Sequence, residues 1–427
     1  MRWFAIAAAL LAFAPAAAAQ SVAVPHRAQV AVAFDALGTI EPRIVEGPLS
    51  KTNPRDVTID DPVRVASVSK LVVGLGVMRL VEAGKLNLDA DVSRYLGWRL
   101  RHPDYPQRKI TLAMLLGHRS GVSGEFDYLL TLDAELPTKL KEKGAFDADR
   151  APGGAFAYSN LNYPIIAAAM EGATGERFDQ LIHAQIFAPM GIDACFNWTM
   201  CSPDKVARAV ALYRLNGDLA LDELGGQLPA CPVVRASDGG CNLAAYKLAR
   251  HGAAFSPQGG MRISAADLAR IGVMLLQRGK GLLKPASIAR LERMTAVFPD
   301  RGEGSEGVFC SFGLAVHATG GPDLKRPGCK SDLFGDGRLR VGHAGDAYGL
   351  RSGLWLDRAA GTGLVYFVTA VDPAAKGKRS AYGPEEEALV DKAMGTGIAL
   401  SDISDRSSEP VEGRVAVKHP STGSGLR

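Results

Sequence analysis

The sequence predicts a mixed α/β (α+β) fold in which strands from both ends of the chain build one unit and a mostly helical unit is inserted between them. Two observations carry this. β-Branched and alternating runs cluster near the N-terminus (Ala28 to Phe34, then Ile44-Val45) and return late in the chain (Val308 to Val316, Leu339 to Gly342, Leu350 to Leu356, Gly363 to Val371). From Leu86 onward the intervening texture is helix and loop, and from Cys201 to Gly260 it is rich in Gly, Pro and Cys. A length of 427 residues suffices for two or three such units. The expected division is 20–90 plus 255–400 for the α/β unit and 91–254 for the insert, with 401–427 a polar tail expected to be disordered.

The first element is a leader. Arg2 supplies a positive charge, Trp3 to Phe13 is apolar, and Ala17-Ala18-Ala19 precedes Gln20, the layout of a secretory signal peptide (residues 1–19) cleaved after Ala19. Its apolar core is too short to span a bilayer, and nothing later reads as a span. The mature protein is therefore expected to be exported, secreted or periplasmic, with no stable membrane anchor. Six cysteines suit an oxidising compartment. Fifteen pairings are possible, and the simplest joins sequence neighbours: Cys195 with Cys201, Cys231 with Cys241, Cys310 with Cys329. Their spacing resembles no zinc pattern and there is no His-Glu-x-x-His, so no metal or other cofactor is expected. A net charge of +4, without a Lys/Arg run interleaved with aromatics, argues against nucleic acid as a partner.

The remaining elements follow in order. Ser67 to Ala83 reads as a helix with Gly84 after it; its apolar residues, Leu71, Val72, Leu75, Met78, Leu80 and Val81, nearly surround it, which predicts burial. Thr111 caps a short helix ending at Leu116, and 127–143 reads as helical. Ala151-Pro152-Gly153-Gly154 makes a turn before Tyr158-Ser159-Asn160. Pro164 opens a helix that Gly172 stops after Glu171. Asn216-Gly217 turns a small hairpin within 206–221. Ser264 caps a helix to Gln277, Pro285 opens another, and 385–394 forms a closing helix.

Within the first helix, Ser67-Val68-Ser69-Lys70 places a hydroxyl and an amine one turn apart on one face, at the electropositive helix start. A desolvated lysine can take a serine's proton and make it a nucleophile. By itself Ser-x-x-Lys occurs by chance about once or twice in a chain this long, and such a serine is ordinarily a helix cap. Two further motifs change that weighting: Tyr158-Ser159-Asn160 on a loop of the helical unit, and His343-Ala344-Gly345 at the end of a strand. Ser-x-x-Lys, Tyr-x-Asn and Lys- or His-x-Gly in this order resemble the serine β-lactamase and penicillin-binding protein superfamily, in its class C-like branch. Supporting stretches are 111–121, Tyr163 with Thr174-Gly175, 260–269 and 342–353, so the resemblance covers about Val30 to Met394.

The resemblance implies an antiparallel sheet flanked by helices with an inserted helical domain, the β-lactamase/transpeptidase-like fold. It also implies roles. Ser67 attacks a carbonyl and becomes acylated, Lys70 is its base, and Tyr158 shares the proton relay. Asn160 binds Lys70 and the substrate amide. His343 and Gly345 line the substrate strand, and the N–H groups of Ser67 and Asp346 form the oxyanion hole. His343 stands where the β-lactamases mostly carry lysine; Arg351, close after it, compensates if it faces the cleft. His118, His183, His251 and His317 have no such context and read as structural.

The function expected is an exported serine hydrolase acting on a small amide or ester: a D-Ala-D-Ala carboxypeptidase-like enzyme, a peptidase or a carboxylesterase. A peptidoglycan peptide or a β-lactam is a conceivable substrate. The alternatives are a class C-type β-lactamase and a penicillin-binding sensor that acylates without turnover. An α/β-hydrolase is disfavoured by the missing Gly-x-Ser-x-Gly elbow.

Overall fold

The alternating run near the N-terminus forms β1 (Gln29–Asp35) and pairs with β2 (Ile40–Glu46) across a tight turn. In the computed structural model, which describes residues 26–297 and 307–395, β3 (Pro62–Arg64) and a 3₁₀ turn (Ala66–Val68) lead into α1 (Ser69–Glu82). The middle of the chain holds α2 (Ser93–Leu96), α3 (Leu112–Leu116), α4 (Leu136–Lys139), α5 (Asn162–Thr174), α6 (Phe178–Ile182), α7 (Ala188–Met190) and α8 (Pro203–Ala207). Its only strands among the described residues are β4 (Cys195–Phe196), β5 (Leu212–Tyr213) and β6 (Leu219–Leu221). After β7 (Met261–Ser264), α9 (Ala265–Leu276) and α10 (Pro285–Glu292) come β8 (Ala296–Val297), β9 (Ser311–Phe312), β10 (His317–Thr319), β11 (Arg340–Ala347), β12 (Leu350–Asp357), β13 (Thr362–Thr369) and α11 (Pro384–Gly395).

Eight strands form one antiparallel sheet in the order β2-β1-β13-β12-β11-β10-β9-β8. β1 lies beside β13, with Val30 opposite Phe367, so the two ends of the chain close the same sheet. The period-2 alternation divides the central strands between two helical layers. Leu354, Val365 and Phe367 face the core shared with α1 and α9, while Trp355, Tyr366 and Val368 face Leu389 and Val390 of α11. Covering both faces explains why Leu364–Val368 of β13 is an unbroken apolar run and why β12 is buried along its whole length. α1 packs against α5, α6 and α10, and its apolar girdle is buried as expected apart from Val81, which is half-buried.

The three disulfides join Cys195 to Cys201, Cys231 to Cys241 and Cys310 to Cys329, the sequence-neighbour pairing. Thr111 caps α3 and Ser264 caps α9, each hydroxyl accepting from the amide three residues on. The Asn216-Gly217 turn joins β5 to β6, although 203–207 is helical, so the hairpin is shorter than expected.

Other expectations need correction. Within 127–143 only Leu136–Lys139 is helical. The amides of Leu132 and Leu136 donate to the carbonyls of Arg235 and Arg250, which ties the stretch to the facing loop, and its other backbone bonds close short turns such as Ala134 N–H to Thr131 O and Glu142 N–H to Lys139 O. α5 does not stop at Gly172 but runs to Thr174 and ends on Gly175, whose φ of 77° suits a C-terminal cap. Gly172 instead allows close packing: a Cβ there would stand 1.9 Å from the Tyr95 carbonyl oxygen. The single strand expected over 308–316 is broken into β9 and β10, because Gly313 N–H turns back to Val316 O and the next two amides bond to Leu291 O and Leu116 O. His343 lies inside β11, which continues to Ala347. α1 starts at Ser69, one 3₁₀ turn later than expected. The leader and the tail beyond Gly395 lie outside the described residues. No helix among the described residues is long and apolar enough to cross a membrane.

Candidate active site

The 3₁₀ turn before α1 is tightly built. Ala66 has a φ of 44°, a strained value for a residue with a Cβ. Ser69 Oγ secures the turn by donating to Ala66 O at 2.6 Å and accepting from Met261 N–H at 3.1 Å. No serine side chain caps α1, so Ser67 is free of the duty a serine at a helix start usually has. Ser67 is half-buried and faces two other groups, Lys70 Nζ and Tyr158 Oη, each 3.0 Å from its Oγ.

Lys70 is fully buried. Its Nζ has three oxygen neighbours: Gln258 O at 2.6 Å, Asn160 Oδ1 at 2.8 Å and Ser67 Oγ. A neutral amine has two N–H groups and one lone pair. The carbonyl and the amide oxygen can only accept, so they take the two N–H groups and leave the lone pair for the Ser67 hydroxyl. Burial holds the Lys70 amine well below its ordinary value, and the Arg64 guanidinium adds to the shift. The arrangement can therefore remove the Ser67 proton.

Tyr158 stacks on His118 (ring centroids 4.4 Å apart) and on Phe309 (4.9 Å). Burial raises its phenol above the ordinary value, which keeps it a neutral O–H donor. His118 accepts from Ser159 N–H at 3.0 Å through Nδ1, fixing the segment that carries both Tyr158 and Asn160.

β11 supplies the opposite wall. A Cβ on Gly345 would stand 2.5 Å from Val65 O and 3.2 Å from Ser67 N, so the strand passes the 3₁₀ turn at a distance only glycine allows. His343 is fully buried, with Nδ1–H donating to Ala344 O at 2.6 Å, and burial holds it well below the usual histidine range. It is neutral and supplies no cation. His317, beneath it, accepts from Ala344 N–H at 3.2 Å and is pushed down to about 3 by burial. Asp346 pairs with Arg351 across the strands at 3.0 Å. Arg351 also donates to Pro373 O at 2.8 Å, so the cation expected to stand in for a third-motif lysine is already engaged.

The structure thus brings Ser67, Lys70, Tyr158 and Asn160 into one hydrogen-bonded group, with Gly345 against it. His343 and Asp346 flank Gly345 on the same strand. Sequence reasoning missed Arg64, Gln258 and Phe309. Arg64 was legible in principle, as a charge inside an apolar lead-in to the serine; Gln258 contributes a backbone oxygen, which leaves no sequence signal.

The family model for Beta-lactamase matches residues 12–387 of the chain. Esterase EstB of Burkholderia gladioli is 30% identical over 185 residues, 40% of this chain and 47% of the esterase. The D-alanyl-D-alanine-carboxypeptidase/endopeptidase AmpH of Escherichia coli (strain K12) is 29% identical over 178 residues, 39% of this chain and 46% of AmpH. The chain spans about half the length of these curated relatives. Among solved structures, the D-amino acid amidase from Ochrobactrum anthropi SV3 with L-phenylalanine amide superposes with a TM-score of 0.60 at 19% identity, covering 89% of this chain and 94% of the amidase. That likeness shows a shared fold.

Proposed function

The chain belongs to the Beta-lactamase family, and from that membership we propose that it is an exported serine hydrolase that cleaves an amide or ester bond through an acyl-enzyme on Ser67. The observation that carries this reading is the buried Lys70 amine, whose two N–H groups have oxygen acceptors while its lone pair faces Ser67 Oγ at 3.0 Å.

In the proposed cycle the Ser67 oxygen attacks the substrate carbonyl while its proton passes to Lys70. The N–H groups of Ser67 and Asp346 hold the oxyanion. Tyr158 gives its proton to the leaving amine or alcohol and recovers one from protonated Lys70. Water, deprotonated by the same pair, then releases the acid and restores the Ser67 hydroxyl. Asn160 orients Lys70 and binds the substrate amide. Export is proposed on the leader at 1–19 and the three short-loop disulfides. The division into a 20–90 plus 255–400 unit and a 91–254 insert belongs to the same reading.

The neutral, enclosed His343 supports esterase, carboxypeptidase-like or peptidase activity ahead of β-lactam hydrolysis, since no ammonium stands at the third motif to draw a carboxylate. Rates on a short-chain nitrophenyl ester, a D-Ala-D-Ala peptide and a chromogenic cephalosporin, compared side by side, rank these activities. Ser67→Ala tests the mechanism: turnover is lost, and the intact-mass adduct left by a fluorophosphonate on the wild type disappears. Turnover retained in Ser67→Ala would sink the reading.

A further inference from the structure

Arg64 closes β3, three residues before Ser67 and so within about 10 Å of it along the chain. It is only 8% exposed. Its Nε donates to Gly259 O at 2.7 Å, and its guanidinium carbon lies 4.5 Å from the centre of the Tyr348 ring. No carboxylate pairs with it among the described residues. The neighbouring buried Arg262 is different, because Asp222 meets its Nη2 at 3.0 Å and its Nε at 3.2 Å. The two terminal nitrogens of Arg64 make no hydrogen bond among the described residues, yet they are not sealed from solvent, so its small exposure includes them. Burial and Arg262 lower the guanidinium to about 10, which leaves it charged at neutral pH.

A buried cation without a counter-ion is costly, whereas the same cation is matched when an anion arrives. A planar guanidinium with two free nitrogens fits a carboxylate. Arg64 approaches Ser67 from β3, whereas Tyr158, the proposed donor to the leaving group, approaches it from the loop before α5, so the two groups reach Ser67 from different elements. Asp222, the carboxylate whose charge reaches Arg64, is held by Arg262, and Asp346 is paired with Arg351.

From this we propose that Arg64, backed by Tyr348, is a specificity-determining anion subsite that selects substrates bearing a carboxylate on the acyl side of the scissile bond. The proposal rests on the reading of Ser67 as nucleophile. The substrate class is then an amide or ester whose acyl chain ends in, or branches to, a carboxylate several bonds from the attacked carbonyl.

Two esters of equal acyl length isolate the effect: 4-nitrophenyl hexanoate and the mono-4-nitrophenyl ester of adipic acid, which exchanges the terminal methyl for a carboxylate. The wild type should show a kcat/KM ratio of adipate to hexanoate of about tenfold or more, the worth of a hydrogen bond to a charged group. The ratio should fall towards one in Arg64→Leu and stay above one in Arg64→Lys. Loss of the Arg64 charge also acts on Lys70, but that effect is common to both esters and leaves the ratio untouched. A wild-type ratio at or below one overturns the subsite without recourse to any variant, as does an unchanged ratio in a folded Arg64→Leu. If neither ester acylates Ser67 in the wild type by intact mass, the nucleophile reading itself falls and the subsite goes with it.

Discussion

Gly345→Ala probes the fit between β11 and the turn that carries Ser67. The added Cβ would stand 2.3 Å from Ser352 Oγ, 2.5 Å from Val65 O and 3.2 Å from Ser67 N. Ser352 Oγ can rotate away, although it would give up its bond to Val65 O at 2.9 Å. Val65 O belongs to the backbone and has no such freedom. Restoring an ordinary 3.4 Å contact requires the strand and the turn to separate by 3.4 − 2.5, about 0.9 Å. The two proposed oxyanion donors sit on opposite sides of that seam, one on Ser67 and one on Asp346. A displacement near 1 Å at a reacting centre costs on the order of 10²-fold in rate.

The expected result is a fall of about 10²-fold in kcat on a nitrophenyl ester with a much smaller change in KM, since the oxyanion forms only in the transition state. Overpacking should also lower the unfolding free energy by about 1–3 kcal/mol, read by urea denaturation. Adding Ser352→Ala removes the 2.3 Å contact but not the 2.5 Å one, so the double variant stays impaired. A kcat within threefold of wild type for Gly345→Ala would refute the placement of the oxyanion hole at this seam.

Two further outcomes follow from buried groups. Glu386 accepts from Tyr366 Oη and Gly383 N–H, both at 2.8 Å, and burial raises its carboxyl from 4.5 to about 7. Between those values the unfolded chain loses its proton while the folded one keeps it, so stability falls as pH rises from about 4.5 to 7, by a few kcal/mol at most. Glu386→Gln should flatten that part of the stability-against-pH curve, and an identical slope in urea titrations would count against it. Cys310–Cys329 closes a loop with a sequence separation of 19 and fixes the residue next to Phe309, which stacks on Tyr158. Replacing both cysteines by alanine should cost about 3 kcal/mol of stability and lower kcat; unchanged values for both would show that neither the loop nor Phe309 depends on the bridge.

Legibility in the sequence followed the range of the interaction. Helix caps at Thr111 and Ser264 and the strands β1, β12 and β13 depend on local pattern, and they were readable, whereas β3 and β7 beside Ser67 were not expected. The grouping of Ser67 and Lys70 with Tyr158 and Asn160 was expected from their motifs, and a chain of hydrogen bonds joins the four. Three failures involve partners distant in sequence. Gly172 looked like a helix stop because nothing local reveals the Tyr95 carbonyl against it. The 127–143 stretch has helical composition, but its Leu132 and Leu136 amides bond to a loop about a hundred residues away. Arg351 looked available until Asp346 and Pro373 O were seen to hold it.

The electrostatics of the site explain why a histidine suits position 343. The wall behind Ser67 holds Lys70, His118, His317 and His343, all buried and all held below their ordinary values by desolvation. Arg262 is neutralised by Asp222, and Arg351 by Asp346. Arg64 is left as the one full positive charge without a paired carboxylate among these groups. It lies close enough to favour the neutral form of Lys70, which is the form that can act as a base. A lysine at 343 would be enclosed without a carboxylate and would place a second ammonium against Lys70, forcing one of the two to lose its proton. A neutral imidazole avoids that competition. On the proposed reading, the charge that attracts an anionic substrate and the charge that keeps the Lys70 amine neutral are the same guanidinium, set near Ser67 instead of on the third motif.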